Sequence, residues 1–138
     1  MSSSYLSLLQ TLVGFDTTSR HSNLALIRWV EQYLQAYGLS SQLTLNDDGG
    51  KANLFARIGQ PDLPVLLLSG HTDVVPVDGQ PWTSDPFELT ARDDGKLYGR
   101  GVADMKGFIA VALATVPEYV KANLKRPIHL AFSCDEEV

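Results

Sequence analysis

With a single cysteine, Cys134, the chain has no partner for an intrachain disulfide, and nothing in it demands an oxidising compartment. Basic clusters are equally scarce. The longest is Lys125-Arg126, and 16 acidic against 11 basic residues leave a formal net charge of -5. A nucleic-acid surface is therefore not expected. No basic residue precedes Arg20, so the start does not read as a secretory signal. Long apolar runs are missing as well. The longest, Phe108 to Ala114, is far too short to span a bilayer. Internal repeats, low-complexity tracts and Pro/Gly-rich linkers are also absent. What remains is 138 residues, 44% hydrophobic and 20% charged, the proportions of an ordinary globular protein with a real core. A cytoplasmic setting is expected.

The pattern alternates helix and strand. A first helix is predicted from about Ser4 to Gly14, with Leu6, Leu9, Leu12 and Val13 on one face and Ser3 or Ser4 as cap. Asp16-Thr17-Thr18-Ser19 reads as a turn. A second helix begins near Asn23 with Ser22 as N-cap. Its stripe is Ile27, Val30, Leu34 and Tyr37, and Gly38 ends it. Leu43 to Leu45 and Asn53 to Ile58 read as strands joined by a hairpin loop at 46–50. Val65 to Ser69 reads as a fully buried strand. A second hairpin pairs Phe87 to Ala91 with Lys96 to Tyr98. A third helix is predicted from about Met105 to Leu124, kinked or restarted at Pro117. The last strand is Ile128 to Ser133. Two apolar strands separated by a helix imply a partly parallel sheet, and the hairpins add antiparallel strands. The expected class is α/β, a three-layer α/β/α arrangement around a mixed sheet.

Chemistry-bearing residues lie at the ends of these elements. His71 follows one apolar strand, and Glu136 and Glu137 follow the other. Ligands of open α/β sheets gather beyond the carboxyl ends of the strands, so the two segments can meet there. Asp104 lies in the glycine-rich loop before the third helix. Imidazole and carboxylate are ligands that zinc and cobalt accept. Asp73, two residues after His71, points the same way in an extended stretch and can receive the histidine's second N–H. Asp104 can bridge two ions. Adjacent glutamates make sense if one binds metal while the other serves as a base toward a water whose pKa metal lowers to about 7. Each piece also has a plainer reading. A lone histidine after a strand is more often a loop residue, Asp73 can cap a turn, and Glu136-Glu137 can be a solvated strand end. Asp104 taken alone reads better as the N-cap of the third helix.

Four ordered blocks carry a resemblance. They are Ser69-Gly70-His71-Thr72-Asp73-Val74-Val75-Pro76, Trp82-Thr83-Ser84-Asp85-Pro86-Phe87, Gly99-Arg100-Gly101-Val102-Ala103-Asp104-Met105-Lys106-Gly107, and Asp135-Glu136-Glu137. In these the chain resembles the acetylornithine deacetylase / succinyl-diaminopimelate desuccinylase / aminoacylase family of di-zinc hydrolases, from about residue 5 onward. Val77 to Trp82 and Asp104 to Phe108 look most like its acetylornithine deacetylases. The resemblance implies a zinc-exopeptidase-like catalytic domain. It implies two divalent ions, zinc ahead of cobalt, with His71, Asp104 and Glu137 as metal ligands and Asp104 as the bridge. It makes Asp73 and Glu136 the catalytic pair, Asp73 orienting His71 and Glu136 acting as general base. It further implies a cis peptide after Asp104.

The implied activity is removal of the acetyl group from N2-acetyl-L-ornithine, in arginine biosynthesis. The alternatives are a desuccinylase, an aminoacylase or a metallo-dipeptidase of the same family, and, in another class, an inactive fragment or non-catalytic binding module. Family members are several hundred residues long. Residues 1–138 therefore correspond to the N-terminal part of the catalytic domain, without the further ligands or the lid and dimerisation domain. On its own this stretch is expected to be inactive. The partners implied are a small N-acyl amino acid and, through the lid, a second copy in a homodimer; the residues gripping substrate are unassigned. Outside the four blocks and the terminal glutamates, His129 is read as structural, His21 as a surface turn residue and Cys134 as a half-buried strand residue. Trp82 is expected to pack the loop at the site edge, Arg100 to pair with a nearby acid ahead of contacting a substrate carboxylate, and Lys106 to be a supporting charge.

Overall fold

The computed structural model describes residues 4–61 and 64–138. Helix α1 spans Tyr5–Val13, and Ser4 caps it, its hydroxyl accepting from the Ser7 N–H. The alternative cap, Ser3, lies outside the described residues. Leu8, Leu9, Leu12 and Val13 are its buried face. Leu6 does not join them. It shares Val13's side of the helix but sits nearly two turns nearer the start, where it is 41% exposed.

Helix α2 spans Leu24–Ala36 and buries Leu26, Ile27, Val30 and Leu34. Asn23 takes the N-cap position, while the Ser22 hydroxyl accepts from the Leu24 N–H at 3.1 Å. Gly38, at φ 76°, ends the helix as expected. The Gly38 N–H reaches back to Gln35 O and the Leu39 N–H to Leu34 O, the paired closure of a Schellman turn.

Strands β1 (Ser41–Leu45), β2 (Ala52–Ile58), β3 (Leu66–His71) and β6 (Ile128–Ser133) form one sheet in the order β1-β2-β6-β3. β2 runs antiparallel to both β1 and β6, whereas β3 and β6 are parallel, with His71 opposite Ser133. The mixed, partly parallel sheet is thus present. The second hairpin does not join it: β4 (Thr90–Ala91) and β5 (Leu97–Tyr98) pair only with each other.

Two strands differ from expectation. Val65, Leu66 and Leu67 are 45%, 54% and 52% exposed, because β3 lies at an edge of the sheet and Leu67 is on the face opposite the core; only its end, Gly70 and His71, is buried. β6 alternates rather than being buried throughout, with Ile128, Leu130 and Phe132 inward. These join Leu54, Ala56 and Ile58 of β2 and the buried residues of all three helices in one core. On the opposite face Phe55 and Leu67 are exposed. There His129 packs edge-on against Phe55 and accepts from Arg57 Nε at 3.2 Å, a structural role.

Helix α3 spans Gly107–Lys121, starting later and ending sooner than predicted, and it continues through Pro117 without a restart. Proline has no N–H for the carbonyl four residues back, which is Leu113 O. The Tyr33 hydroxyl on α2 supplies the missing donor at 3.0 Å. Tyr33→Phe in the full-length protein should therefore cost about 0.5–1.5 kcal/mol in urea denaturation. The cost should shrink in a Pro117→Ala background, where residue 117 regains its own N–H. An equal cost in both backgrounds would remove this role from Tyr33.

Candidate metal centre

Parallel pairing of β3 with β6 brings their carboxyl ends to one edge of the sheet. The Thr72 N–H and hydroxyl both donate to Ser133 O at 2.8 Å, carrying the alignment one residue past β3. Beyond it, a His71 ring nitrogen, a Glu136 oxygen and a Glu137 oxygen all lie within 4.8 Å of one another, with Nε2 3.8 Å from Glu136. Asp104 comes from the third segment, its Oδ1 3.0 Å from His71 Nε2. The His71 ring is almost wholly buried, while the Asp104 and Glu136 side chains are mostly exposed.

Asp104 is not a helix N-cap. It sits in a kinked turn, Val102–Lys106, with φ −132° and ψ 93°, and the bond from Asp104 to Met105 is cis. The turn opens at Gly101, whose φ is 82° and whose missing side chain matters, because a Cβ there would stand 2.8 Å from Val74 Cγ1. Gly70 serves a similar end, since a Cβ would crowd Met105 and Phe108 at 3.2 Å. Lys106 is fully buried, its ammonium donating to Phe15 O at 2.7 Å just past α1. Burial draws its pKa down to about 8, against the opposing charge of Asp16.

Asp73 works differently from the expected His–carboxylate contact. The His71 Nδ1 partner is the main-chain carbonyl of Asp73 at 2.9 Å, and the carboxylate is 3.6 Å away. That carboxylate is instead an acceptor for the terminal segment. Oδ1 takes the Glu136 N–H at 3.2 Å, and Oδ2 takes the Glu137 N–H at 3.0 Å and the Ser19 hydroxyl at 2.8 Å. Asp73 thus ties the histidine segment to both glutamates. Burial pushes its carboxyl pKa up, but these donors outweigh burial and hold it below the ordinary value.

The electrostatics suit a cation. Burial opposes a charge on His71, yet the hydrogen bonds to Asp73 and Asp104 and the charges of Asp73 and Glu136 raise its pKa. Glu137 is raised by burial and then by repulsion from Asp104, Glu136 and Asp73. One imidazole nitrogen and several carboxylates facing one another form a donor set that fits divalent metal. Asp104, Glu137, Arg100, Gly101 and Val75 help line a cavity of about 220 Å³ beside it. A larger cleft of about 440 Å³ lies between Trp82, Arg92 and Tyr98. It touches neither His71 nor the carboxylates, so the chemistry marks the smaller one.

Arg100 finds no acidic partner among the described residues. It bonds Gln80 and lies 5.4 Å from the Trp82 ring centre. His21 pairs with Asp16 at 3.1 Å on the surface. Cys134 is half-buried, its N–H donating to Asn53 Oδ1 at 3.0 Å.

The supporting residues were not legible beforehand. Thr17 Oγ1 donates to Thr72 O at 2.6 Å, and Asn23 Nδ2 donates to Ala52 O and Thr72 Oγ1. Lys51 Nζ donates to Ser19 O at 2.5 Å and pairs with Asp135. The sole advance sign was a run of small polar residues, Asp16 to Ser19, of which the fold buries Thr17, Thr18 and Ser19.

A family model described as Peptidase family M20/M25/M40 matches residues 67–138. The acetylornithine deacetylase of Proteus mirabilis (strain HI4320) is 41% identical over 123 residues, which is 88% of this chain and 31% of that protein. That of Shigella sonnei (strain Ss046) is 43% identical over 117 residues, 84% and 30% respectively. The chain thus spans about a third of the length of these curated relatives. Among solved structures, human carnosine dipeptidase 1 matches with a TM-score of 0.82 at 23% identity, covering 96% of this chain and 32% of that one. The M20 family metallo-carboxypeptidase Sso-CP2 of Sulfolobus solfataricus gives 0.83 at 23% identity, covering 98% and 31%. At such identity the structures speak for the fold.

Proposed function

The chain belongs to peptidase family M20/M25/M40, and from that premise we propose that the whole protein removes the acetyl group from N2-acetyl-L-ornithine, releasing ornithine and acetate. The observation carrying the hydrolytic reading is the meeting of the His71 ring with Glu136 and Glu137 within 4.8 Å, and of its Nε2 with Asp104 at 3.0 Å. The similarity to proteins named acetylornithine deacetylase supports the substrate.

In this reading His71, Asp104 and Glu137 would hold two divalent ions, zinc or cobalt, with Asp104 as the ligand they would share. Bound there, the ions would acidify water and polarise the acyl carbonyl. Glu136 takes the proton from the attacking water and returns it to the leaving amine. Asp73 fixes His71 through its carbonyl and the two glutamates through its carboxylate. A third, helical layer over the face bearing Phe55 and Leu67, a lid that joins two copies, and a cytoplasmic setting belong to the same proposal.

The test is a side-by-side assay of the zinc- and cobalt-loaded full-length protein on N2-acetylornithine, N-succinyl-diaminopimelate and simple N-acetyl amino acids. The highest kcat/KM is expected on acetylornithine, with activity abolished by chelation and restored by metal. A preference of about tenfold or more for another substrate would move the protein to that neighbouring activity. Metal binding without hydrolysis of any amide would make it a binding module.

A further inference from the structure

The geometry points to Lys51 as a positioning residue for the Glu136-Glu137 turn, a role that rests on the proposed use of these glutamates in metal binding and proton transfer. Asp135, immediately before them, has φ 60°, the left-handed region that residues with a side chain seldom occupy. Such a turn persists where its surroundings fix it. Here they do so from two sides. Asp73 accepts the N–H groups of Glu136 and Glu137, and Lys51 pairs with the Asp135 carboxylate.

Lys51 is itself well held. Its N–H donates to Asn46 Oδ1 at 2.9 Å, and its carbonyl accepts the Asn46 N–H at 3.0 Å, at the base of the β1–β2 loop. Its ammonium also donates to Ser19 O, while the Ser19 hydroxyl donates to Asp73. The contacts close a ring: Lys51 to Ser19, Ser19 to Asp73, Asp73 to Glu136 and Glu137, and back through Asp135 to Lys51. The Lys51 side chain is only 19% exposed and that of Asp135 38%, so the ring of contacts fixes the pair more than burial does. Neither Lys51 nor Asp135 is placed among the metal ligands. Their effect passes through the direction in which the chain presents the two glutamates.

The test is a double-mutant cycle on the full-length protein, combining Lys51→Met with Asp135→Asn. Asparagine tolerates the left-handed conformation, so that change removes the charge and leaves the backbone preference in place. Lys51→Met should weaken metal binding about 10–100-fold by calorimetry, the range for residues that orient ligands. It should lower kcat of the metal-saturated enzyme about tenfold with little change in KM, and Lys51→Arg should recover part of both. Asp135→Asn should do the same, and the double variant should be no worse than either single one.

Additive losses, or metal affinity and kcat within about twofold of wild type, would overturn the role. A general loss of stability alone would lower the melting temperature without moving kcat per metal-loaded enzyme. Should Lys51→Met fail to fold, Asp135→Asn and Lys51→Arg carry the same comparison. Calorimetry reads the effect whether or not an amide is hydrolysed. An inactive but metal-binding wild type would therefore sink the proposed function and leave this inference standing.

Discussion

Glu136→Gln in the full-length protein should keep its metal and lose about 10²–10⁴-fold in kcat, the range for a general base. Glutamine matches glutamate in shape and keeps the backbone N–H that Asp73 accepts at 3.2 Å. What it lacks is an oxygen able to take a proton. Since the Glu136 side chain is mostly exposed, no packing is disturbed. KM should change little, and metal content, measured by mass spectrometry, should stay at the wild-type level. The companion variant sharpens the result. Both Glu136 and Glu137 offer an oxygen near the His71 ring, so proximity alone does not divide their work. Glu137→Gln should lose metal first and activity in consequence, with added metal restoring part of the rate. Turnover by Glu136→Gln within about threefold of wild type would remove the base role from Glu136, and metal loss by it would exchange the two assignments.

Asp104→Ala should reduce the full-length protein from two bound ions to one at most, with turnover falling by a comparable or larger factor than in Glu136→Gln. Asp104 reaches His71 Nε2 at 3.0 Å from a segment distant in sequence from both the histidine and the glutamates. A carboxylate has two oxygens and could serve two ions, whereas Met105, the other side chain that turn brings to His71, only accepts the His71 backbone N–H through its sulfur at 3.4 Å. The stability of the metal-free protein should fall by no more than about 1.5 kcal/mol, because the mostly exposed side chain gives up one hydrogen bond to His71. Equilibrium dialysis at fixed free metal, with ion counting per chain, makes the measurement. Two ions per chain in Asp104→Ala would sink the bridge.

The elements were legible wherever apolar spacing was strong. The α2 stripe, its Gly38 stop and the β1–β2 hairpin all lie close to where the residues place them. Edges and ends were harder. Val65 to Ser69 reads as a buried strand because apolar content reports what a segment can bury, whereas its place at the edge of the sheet decides what this chain covers. Pro117 reads as a break, since the hydroxyl that satisfies Leu113 O comes from another helix. The chemistry-bearing residues could be named from their types and positions. The frame around them could not, for Ser19, Asn23 and Lys51 are ordinary polar residues until the chain folds.

By itself the sequence determined which residue types stand at the ends of which strands, and that His71, Asp104, Glu136 and Glu137 are of the types that metal ions accept as ligands. That much follows from local composition and periodicity, and from the order of four motif blocks. The tertiary structure alone decided how these residues are held. It assigned the His71 Nδ1 contact to a carbonyl and turned the Asp73 carboxylate toward two backbone N–H groups. It also closed the ring through Lys51 and Asp135. The reason is physical. A hydrogen bond depends on distance and direction to within a few tenths of an ångström, and between residues 19, 51, 73 and 135 those are set only when the sheet has brought their segments together.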